Sequence, residues 1–589
     1  MNNIIQNISI IFKLLSKKDN RRLFFLSIMM LFSIIFETLN IALILPLVSL
    51  VSDPEGIKNY PIVLNILENI SYIFSNILFK IDRENILAIS TIIIFSIFFI
   101  FRQIFFLIVY WSKEHFLYHL KTSYSFKLYS GYLKLPLLFH LKNNSSTLVR
   151  NSVQEVEIFS RSVILLLGLI SDLILFLFLV SVLLFFSLKP TLLIMLIFIS
   201  ISLIYLIATK EKMKNLSEER LENDRKSFLF AKQGLEAIKE IIVNNKSFEF
   251  ASIYFKKYSK LSRISLIQNI FTILPRLVLE TSFLFILIFL ILYTFSNEIN
   301  FINIIPILAL YIGAAFRLLP TITRILTSIN LLSISTQGIK VVQDQINLIK
   351  SSELETKNNN SKDFKLKDRI NVKNISFKYD NSSKKILDEA NLEILKGSIT
   401  GIIGHSGAGK STLISIIAGL LKPSNGDVFI DNNNIFLDTK NWQNKIGYVP
   451  QSNYMIDDSI LNNIAFGINE NEIDIKLVHE VIKKVGLEDF VKNLPNGLNS
   501  LAGERGSRFS GGQVQRLVMA RALYKKPSVL ILDESTNSLD IKTEENIFKM
   551  IKSNLNDITV IIISHRNNLS QICDHCYQII DGRTKKINI

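Results

Sequence analysis

The chain has 589 residues, 49% of them hydrophobic, and a mean hydropathy of +0.34. That length is too great for one domain, and that hydropathy is high for a soluble protein. The formal net charge is +16, of which the first 350 residues contribute +13. Because the same residues hold nearly all the long apolar runs, the positive surplus indicates a membrane surface as partner and no nucleic acid.

The first 22 residues predict a helix on the inner membrane face. They are polar and basic, with a short apolar stretch from Ile8 to Leu15 and no visible signal-peptide pattern. An amphipathic helix of this kind lies in the membrane interface and does not cross it.

Six stretches of the first 350 residues are apolar over the ~20 residues that a membrane-spanning helix needs. They cover residues 23–51, 86–111, 163–187, 191–208, 271–295 and 301–320. Short turns, around Lys189-Pro190 and at residues 296–300, join the third span to the fourth and the fifth to the sixth. Residues 1–350 are therefore predicted to form an all-α, six-helix transmembrane domain.

Two long connections, residues 112–162 and 209–270, are predicted to lie in the cytoplasm. The second holds thirteen Lys and Arg, whereas the loop at 52–85 has only Lys58, Lys80 and Arg83. Positively charged loops stay on the cytoplasmic side, which places both connections and both chain termini there. Their length predicts helix pairs extending below the bilayer, with turns near residues 136–144 and 244–247, although plain solvated helical loops are the alternative.

Four arginines lie within or beside the spans, where a charge costs ~2.5–3.5 kcal/mol. Arg102 is in the second span, and Arg276 opens the fifth. Arg317 lies at the end of the sixth and Arg324 just beyond it, seven residues apart and therefore on one helix face. An anionic substrate in a basic cavity would offset the cost. Snorkelling, or pairing such as that of Arg276 with Glu280, would also do so.

Residues 351–366 are polar without an apolar period, which predicts a linker to a second domain at 367–589. There, an apolar strand leads into residues 404–411, which fit G-x-x-x-x-G-K-[ST], and a helix follows. That context predicts a phosphate-binding loop whose backbone N–H groups cradle ATP at a helix N-terminus. Lys410 should reach the β- and γ-phosphates, and the Ser411 hydroxyl should ligate Mg²⁺. The nucleotide-binding residues predicted here are Gly404, Ser406, Gly407, Gly409, Lys410, Ser411 and Thr412.

The apolar run from Val529 to Leu532 predicts a buried parallel strand. It ends in two acids, of which Asp533 is predicted to hold Mg²⁺ and Glu534 to polarise the attacking water. The two cysteines, Cys573 and Cys576, form a lone C-x-x-C with neither a second pair for zinc nor a redox context. They are predicted to be structural thiols.

A phosphate loop, then Ser510-Gly511-Gly512-Gln513, then an apolar strand ending in two acids resembles the ABC transporters of the exporter type, and the resemblance covers the whole chain. It implies an α/β P-loop ABC ATPase domain that couples ATP hydrolysis to transport, with Mg²⁺ as cofactor. It also implies that Tyr379 stacks on adenine, that Gln451 touches Mg²⁺, that Asp540 lies at the dimer seam and that His565 contacts the γ-phosphate. Residues 503–506 are similar to the segment that meets the coupling helices.

In this family the S-G-G-Q segment contacts ATP held by the other subunit. The resemblance therefore implies a homodimer in which Ser510, Gly511, Gly512 and Gln513 complete the partner's site. Phe509 before the segment and Asn537-Ser538 depart mildly from the family pattern, and no core catalytic position is degenerate. Two equivalent active sites are expected.

Membrane segments 37–46, 275–280 and 317–325 resemble the lipid-linked oligosaccharide flippases of bacterial protein N-glycosylation. The four arginines fall where those flippases have basic residues in their cavity, and residues 61–79 are similar to their short external helix. The resemblance implies a polyprenyl-pyrophosphate sugar moved from the inner to the outer leaflet of the bacterial inner membrane. Exporters of lipid A-type lipids, hydrophobic drugs or peptides, and a non-transporting ATPase, are the alternatives.

Overall fold

A computed structural model of the chain describes residues 2–52, 83–186, 188–296, 305–356, 364–379, 384–534, 549, 551–553, 555, 557–564 and 572–587. The chain divides into two compact units. One holds residues 1–135 and 142–353, and the other holds residues 136–141 and 354–589. The predicted external helix at 61–79 and the turn at 297–300 lie outside the described residues.

The first unit is helical throughout its described part. Its elements are α1 (Asn2–Leu14), α2 (Lys17–Ser52), α3 (Arg83–Tyr132), α5 (Ser145–Arg150), a π-helical turn (Asn151–Glu155), α6 (Val156–Phe186), α7 (Leu188–Glu236), α8 (Ile238–Val243), α9 (Ser247–Ser296), α10 (Ile305–Ile334) and α11 (Thr336–Thr356). The intervening α4 (Leu137–Lys142) carries most of its residues in the second unit.

Four helices of the described chain are long and apolar enough to cross a membrane, or five if the pair Ala315–Ile334 and Thr336–Ser352, bent by 48°, counts as one. The four overlap the second to fifth predicted spans, and the bent pair overlaps the end of the sixth. The first predicted span lies in α2, whose side chains are described only as far as residue 37. The apolar helices indicate a membrane protein, and the count of six stays a prediction.

The two long connections, residues 112–162 and 209–270, are helix pairs, as the sequence predicts. Helix α3 has 50 residues and α7 has 49, which makes each about 75 Å long at 1.5 Å per residue. The chain turns at α4 and again between α8 and α9, where Asn245 takes a left-handed conformation (φ 54°). The turn predicted around Lys189-Pro190 is displaced, since α7 already begins at Leu188. Pro190 sits in its first turn, where the missing N–H has no helical partner to lose.

Apolar side chains hold the helices of the first unit together. One buried cluster joins α2, α6, α7 and α10 through Ile34, Leu175, Leu179, Leu183, Met195 and Leu318. A second joins α7, α9 and α10 through Ile194, Phe198, Leu279, Ile286, Ile322 and Leu326. Large apolar side chains on α3, such as Ile104, Leu107 and Trp111, are exposed. A helix with an apolar outer face is suited to lipid.

The second unit has two sheets. A four-stranded antiparallel sheet has the order β2-β1-β4-β5, and a six-stranded sheet has the order β10-β9-β3-β8-β7-β6. The strands are β1 (Arg369–Phe377), β2 (Leu387–Leu395), β3 (Ile399–Ile403), β4 (Asn425–Ile430), β5 (Asn433–Asn434), β6 (Ile446–Val449), β7 (Val529–Asp533), β8 (Thr559–Ile563), β9 (His575–Ile580) and β10 (Arg583–Ile587).

Helices cover these sheets: α12 (Lys410–Ile417), α13 (Thr439–Asn444), α14 (Ile460–Ile464), α15 (Ile475–Lys484), α16 (Glu488–Lys492) and α17 (Gly511–Tyr524). Strands β9, β3, β8, β7 and β6 are parallel, and every residue of β7 is buried, as its composition predicts. Parallel strands bring their carboxyl ends to one edge of the sheet, where ligands of such folds bind.

The predicted linker, residues 351–366, is narrower in the structure. Helix α11 continues to Thr356, and Phe364 and Leu366 are already buried in the core of the second unit. Phe364 meets the ring of buried Trp442 edge-on, with 6.4 Å between ring centroids. The polar composition of residues 351–366 predicted neither the extension of α11 to Thr356 nor the burial of Phe364 and Leu366. Two apolar residues are enough to anchor the chain just before β1. Leu137 and Leu138 of α4 also pack against this core.

Candidate functional site

The glycine-rich loop follows β3 and closes on the start of α12. Gly407 and Gly409 take positive φ values of 80° and 102°, a region that glycine enters without steric cost. A Cβ on Gly409 would lie 3.0 Å from the Ile386 carbonyl oxygen and from Leu387 Cδ2. Helix α12 begins at Lys410, so its first N–H groups face the loop and favour an anion there. Thr412, in the same first turn, is buried.

Lys410 is buried at the mouth of this loop. Its Nζ donates to the carbonyl oxygens of Gly404 and His405, at 3.0 and 3.1 Å. The same nitrogen lies 3.4 Å from Oε1 of Glu534, so the lysine and the predicted base meet although they are far apart in sequence. A buried ammonium that is held by carbonyls and one carboxylate is placed to bind phosphate.

Asp533 ends β7 beside the Ser411 hydroxyl, which donates to Oδ1 at 3.4 Å. The Tyr448 hydroxyl donates to Oδ2 at 2.9 Å. Burial raises the pKa of Asp533 above its usual value, against the lowering effect of the Tyr448 hydrogen bond. Burial and the neighbouring Asp533 carboxylate raise the pKa of Tyr448, which keeps it a hydrogen-bond donor.

The residues present fit Mg²⁺ bound together with nucleotide. Among the described residues, no cluster of three or more His, Cys, Asp or Glu side chains could hold a metal by itself. Mg²⁺ in nucleotide sites is usually held by one or two protein oxygens plus phosphates. The Ser411 hydroxyl and the buried Asp533 carboxylate supply that set, and a cation there would offset the burial that raises the Asp533 pKa.

Glu534 is fixed by Gln451, whose Nε2 donates to Oε2 at 2.8 Å. The residue is 7% exposed and has a positive φ of 45°, a strained conformation for a non-glycine residue that functional sites often retain. Gln451 follows β6 and Glu534 follows β7, two parallel neighbours. The predicted base is therefore oriented by a side chain from the adjacent strand.

The S-G-G-Q segment opens α17 as a capping box. Ser510 accepts from the Gln513 backbone N–H at 3.3 Å, and the Gln513 side chain accepts from the Ser510 N–H at 2.8 Å. Ser510 and Gly511 are exposed, and Gly512 is partly exposed. This pattern leaves the N-terminus of α17 open to an external ligand.

The remaining predicted residues of the nucleotide site are placed as follows. Tyr379 follows β1, and its ring meets Phe377 edge-on at 4.9 Å between centroids. Ser406 is exposed at the tip of the glycine-rich loop. Asp540 and His565 lie outside the described residues, so their roles stay predictions.

The two cysteines are free and buried. Burial raises the pKa of Cys573 to about 12 and also raises that of Cys576. A Cβ on Gly401 of β3 would approach Cys573 Sγ to 2.9 Å. The thiols therefore fill space behind the strand that carries the glycine-rich loop, as their prediction as structural residues requires.

All four membrane arginines have carboxylate partners. Arg317 pairs with Glu37. Arg102 pairs with the same carboxylate, with 3.7 Å between Arg102 Nη2 and Glu37 Oε1. The Arg324 Nε lies 2.9 Å from Asp172 Oδ1, and Arg276 pairs with Glu280 one helical turn away, at 2.7 Å. Internal pairing, left open by the sequence, is thus a property of every one of these arginines.

Sequence reasoning missed Tyr448 as the partner of Asp533, and Glu37 and Asp172 as partners of the arginines. Tyr448 lies on β6, and its closeness to Asp533 depends on a strand pairing that no local pattern reveals. Glu37 and Asp172 carried a usable signal, because an acid inside an apolar span is as unusual as an arginine there.

A family model described as ABC transporter matches residues 387–537. Among curated proteins, the chain is 36% identical over 225 residues to ABC transporter B family member 29, chloroplastic, of Arabidopsis thaliana, which is 38% of this chain and 36% of that protein. It is 38% identical over 215 residues to the ATP-dependent lipid A-core flippase of Coxiella burnetii, 36% of each chain. It is 41% identical over 198 residues to the leukotoxin translocation ATP-binding protein LktB of Mannheimia glucosida, 33% of this chain and 28% of that one.

The matched segments thus cover about a third of these relatives' length. A solved structure of a bacterial Atm1-family ABC exporter with ATP bound matches 96% of this chain and 94% of its own, with a TM-score of 0.71 and 19% sequence identity. That likeness shows the fold. The second unit carries an ABC transporter ATPase domain, the type of domain with which ATP-driven exporters hydrolyse ATP, and the prediction of an ATPase is confirmed.

Proposed function

We propose that this chain, an ABC ATPase domain joined to a helical domain with the fold of an exporter, is one subunit of a homodimeric ABC exporter that spans the bacterial inner membrane six times. Its cargo is a lipid-linked oligosaccharide with a polyprenyl-pyrophosphate head, which it flips from the inner to the outer leaflet. The observation that carries the ATP-driven part is the convergence of Lys410, Asp533, Glu534 and Gln451 at one sheet edge.

The catalytic roles follow from that convergence. Lys410 binds the phosphates, and its ion pair with Glu534 gives way to the charge of the nucleotide. Gln451 holds the Glu534 carboxylate, which orients a water for attack on the γ-phosphate. Ser411 and Asp533 would hold Mg²⁺, which when bound neutralises the charge that develops on the phosphates.

The homodimer rests on the exposed start of α17. Ser510 and Gly511 are exposed to solvent in a single chain. A helix N-terminus of this kind is suited to bind a phosphate. One chain offers one glycine-rich loop and one S-G-G-Q segment. Two chains facing each other would complete two equivalent sites, each with Lys410 from one chain and Ser510 from its partner.

The anionic lipid cargo rests on the charges within the apolar helices. Arg102, Arg317 and Arg324 stand on α3 and α10 in the first unit, within or next to the predicted spans. Guanidinium groups bind phosphate oxygens with two parallel hydrogen bonds, so a pyrophosphate is their matching ligand. Closure of the ATPase domains on ATP would drive the change of access, and hydrolysis would reset it.

The test is flipping by the purified full chain in vesicles. Transfer of a polyprenyl-pyrophosphate sugar to the outer leaflet should require ATP, and the same lipid should stimulate ATP hydrolysis. A lipid A-type cargo is the second candidate, favoured by the likeness to a lipid A-core flippase. Stimulation by lipid A with no response to the pyrophosphate lipid would decide for that candidate.

A further inference from the structure

Glu37 of α2 is a shared counter-charge for two arginines on two other helices. It pairs with Arg317 of α10 and lies 3.7 Å from Arg102 of α3. The Glu37 and Arg102 side chains are 19% and 14% exposed. A carboxylate with this burial and two guanidinium partners is electrostatically satisfied, and an anion that binds the same guanidinium groups would compete with it.

Packing around Glu37 fixes its position between those helices. The ring of Phe36 meets Phe98, Phe101 and Phe105 of α3 edge-on, with centroids 5.0–6.1 Å apart. One turn earlier, Ile34 is buried with Leu318, the neighbour of Arg317. The contact between Glu37 and its arginines is therefore set by the interlocking of α2, α3 and α10, and is not an accident of flexible side chains.

A second carboxylate repeats the arrangement on the next turns of α10. Asp172 of α6 accepts from Arg324 Nε at 2.9 Å, and Arg324 also donates to Thr321 at 3.2 Å. Asp172 is 15% exposed, whereas the Arg324 side chain is 51% exposed. The acid is thus built into the helix packing, and the arginine has room to move.

The two carboxylates do not neutralise the arginines they hold. Glu37 and Asp172 together face Arg102, Arg317 and Arg324, which leaves one positive charge in this set. The surplus favours entry of an anion that carries more charge than one carboxylate.

We propose that Glu37 and Asp172 are resident counter-anions that hold the arginines until the substrate head displaces them, and that this exchange sets the preference for a diphosphate over a monophosphate. The inference rests on the proposed function. A charge in an apolar span is costly without a partner, so the arginines keep their acids until a phosphate contacts them. A diphosphate has enough oxygens to replace both Glu37 and Asp172 as partners of the arginines. A monophosphate can replace only one of these two carboxylates, so the other carboxylate stays paired with its arginine.

Glu37 and Asp172 are positioning residues in this scheme, since they act on the substrate through the arginines. Removing either acid's charge frees guanidinium groups for any anion. The pyrophosphate lipid then binds without having to displace that carboxylate. The affinity for a monophosphate lipid rises more, because the neutralised side chain no longer competes with it for the arginines. The selectivity should fall through KM, with kcat for the diphosphate lipid little changed or lowered by slower release.

The experiment measures lipid-stimulated ATPase and flipping of the full chain with a polyprenyl-pyrophosphate sugar and with its monophosphate counterpart. In Glu37→Gln and in Asp172→Asn, the ratio of kcat/KM for the two lipids should fall by about tenfold, the equivalent of 1.4 kcal/mol. Glu37→Asp, which keeps the charge, should restore most of the ratio. The matched control is Glu157→Gln, because Glu157 also bridges two cations, Lys121 at 2.9 Å and Arg161 at 2.8 Å. It lies outside the charge layer, the set formed by Glu37, Asp172, Arg102, Arg317 and Arg324.

An unchanged ratio in Glu37→Gln and Asp172→Asn, with wild-type discrimination intact, overturns this inference and leaves the proposed function standing. A wild-type protein that responds to neither lipid overturns both. If Glu37→Gln fails to fold because two guanidinium groups lose their partner, Asp172→Asn, which breaks a single pair, still decides the question.

Discussion

The nucleotide site and the intramembrane charge layer use the same device in opposite settings. In one, Lys410 Nζ lies 3.4 Å from Glu534, and in the other Arg317 pairs with Glu37. The lysine pair stands at the carboxyl ends of parallel strands, surrounded by backbone donors and acceptors that can take over when the ligand arrives. The arginine pairs stand on apolar helices, and among the described residues the partners of Arg102, Arg317 and Arg324 are side chains: Glu37, Asp172 and the Thr321 hydroxyl. In both regions a carboxylate pairs with the cation, and in the nucleotide site backbone carbonyl oxygens share it. A buried or intramembrane cation thus has a carboxylate partner in either setting.

The sharpest way to separate the two regions is Glu534→Gln. It should lower ATP hydrolysis by about 10²-fold or more, since a positioned base contributes 10²–10⁴-fold, while ATP binding stays intact because Lys410 and the glycine-rich loop are unchanged. Nucleotide binding and steady-state ATPase of the full chain measure the two effects. Glu488→Gln, an exposed helix carboxylate that pairs with Lys492 at 3.0 Å, is the control. Turnover above about a tenth of wild type would remove Glu534 from this role.

The double variant Arg317→Ala with Arg324→Ala is expected to have the opposite effect, a loss of lipid flipping with ATP hydrolysis retained. Losing two charge-assisted contacts at roughly 1.5–3 kcal/mol each should impair flipping of the pyrophosphate lipid, whereas basal ATPase should be largely retained. Lys256→Ala with Lys260→Ala, two exposed cations on α9, is the matched control. Normal flipping would mean that the arginines serve only to pair with Glu37 and Asp172. Equal loss of both activities would indicate misfolding, which thermal unfolding of the double variant would reveal.

Cysteine cross-linking tests whether the nucleotide site, unlike the charge layer, is completed by a second chain. With Cys573 and Cys576 replaced by Ser, cysteines at Ser406 and Ser510 should form disulfides between subunits, and ATP should increase the yield. Ser406 and Ser510 are both exposed in one chain, so reagents reach them. Dimer bands on a non-reducing gel are the readout. Links found only within one chain would contradict the shared site.

Gly401→Ala tests how tightly β3, the strand that leads into the glycine-rich loop, packs against Cys573. The new methyl group would approach Cys573 Sγ to 2.9 Å, and overpacking of this kind costs typically 1–3 kcal/mol. The midpoint of thermal unfolding of the second unit should fall. Adding Cys573→Ala should recover part of the loss, because it removes the clashing sulfur. A Gly401→Ala protein as stable as wild type would show that the strand can shift.

The smallest effect concerns the reactivity of the thiols. Burial raises the pKa of Cys573 to about 12, so the reactive thiolate is scarce at pH 8 in the folded protein. Alkylation by iodoacetamide, followed by mass spectrometry, should be slow in the native state and should rise with pH or on unfolding in urea. Rapid native labelling at pH 8 would contradict the buried environment.

The sequence was most informative where one chemical task is carried by neighbouring residues. The glycine-rich loop from Gly404 to Ser411, the acids Asp533-Glu534 and the strand before them are local patterns, and the structure places them together as expected. The apolar spans are equally local, although the turn at Pro190 and the linker were displaced by a few residues. Propensity sets such boundaries weakly, since packing of residues such as Phe364 overrides it.

By itself, the sequence determined that the chain pairs apolar helices with an ATPase of defined motifs, because hydropathy and glycine spacing are properties of contiguous residues. Only the tertiary structure decided that Tyr448 holds Asp533, that Gln451 orients Glu534, and that Glu37 and Asp172 hold arginines 65 to 280 residues away in the chain. Those contacts depend on which strands and helices become neighbours. That choice is made by the sum of many apolar contacts, which no single segment encodes.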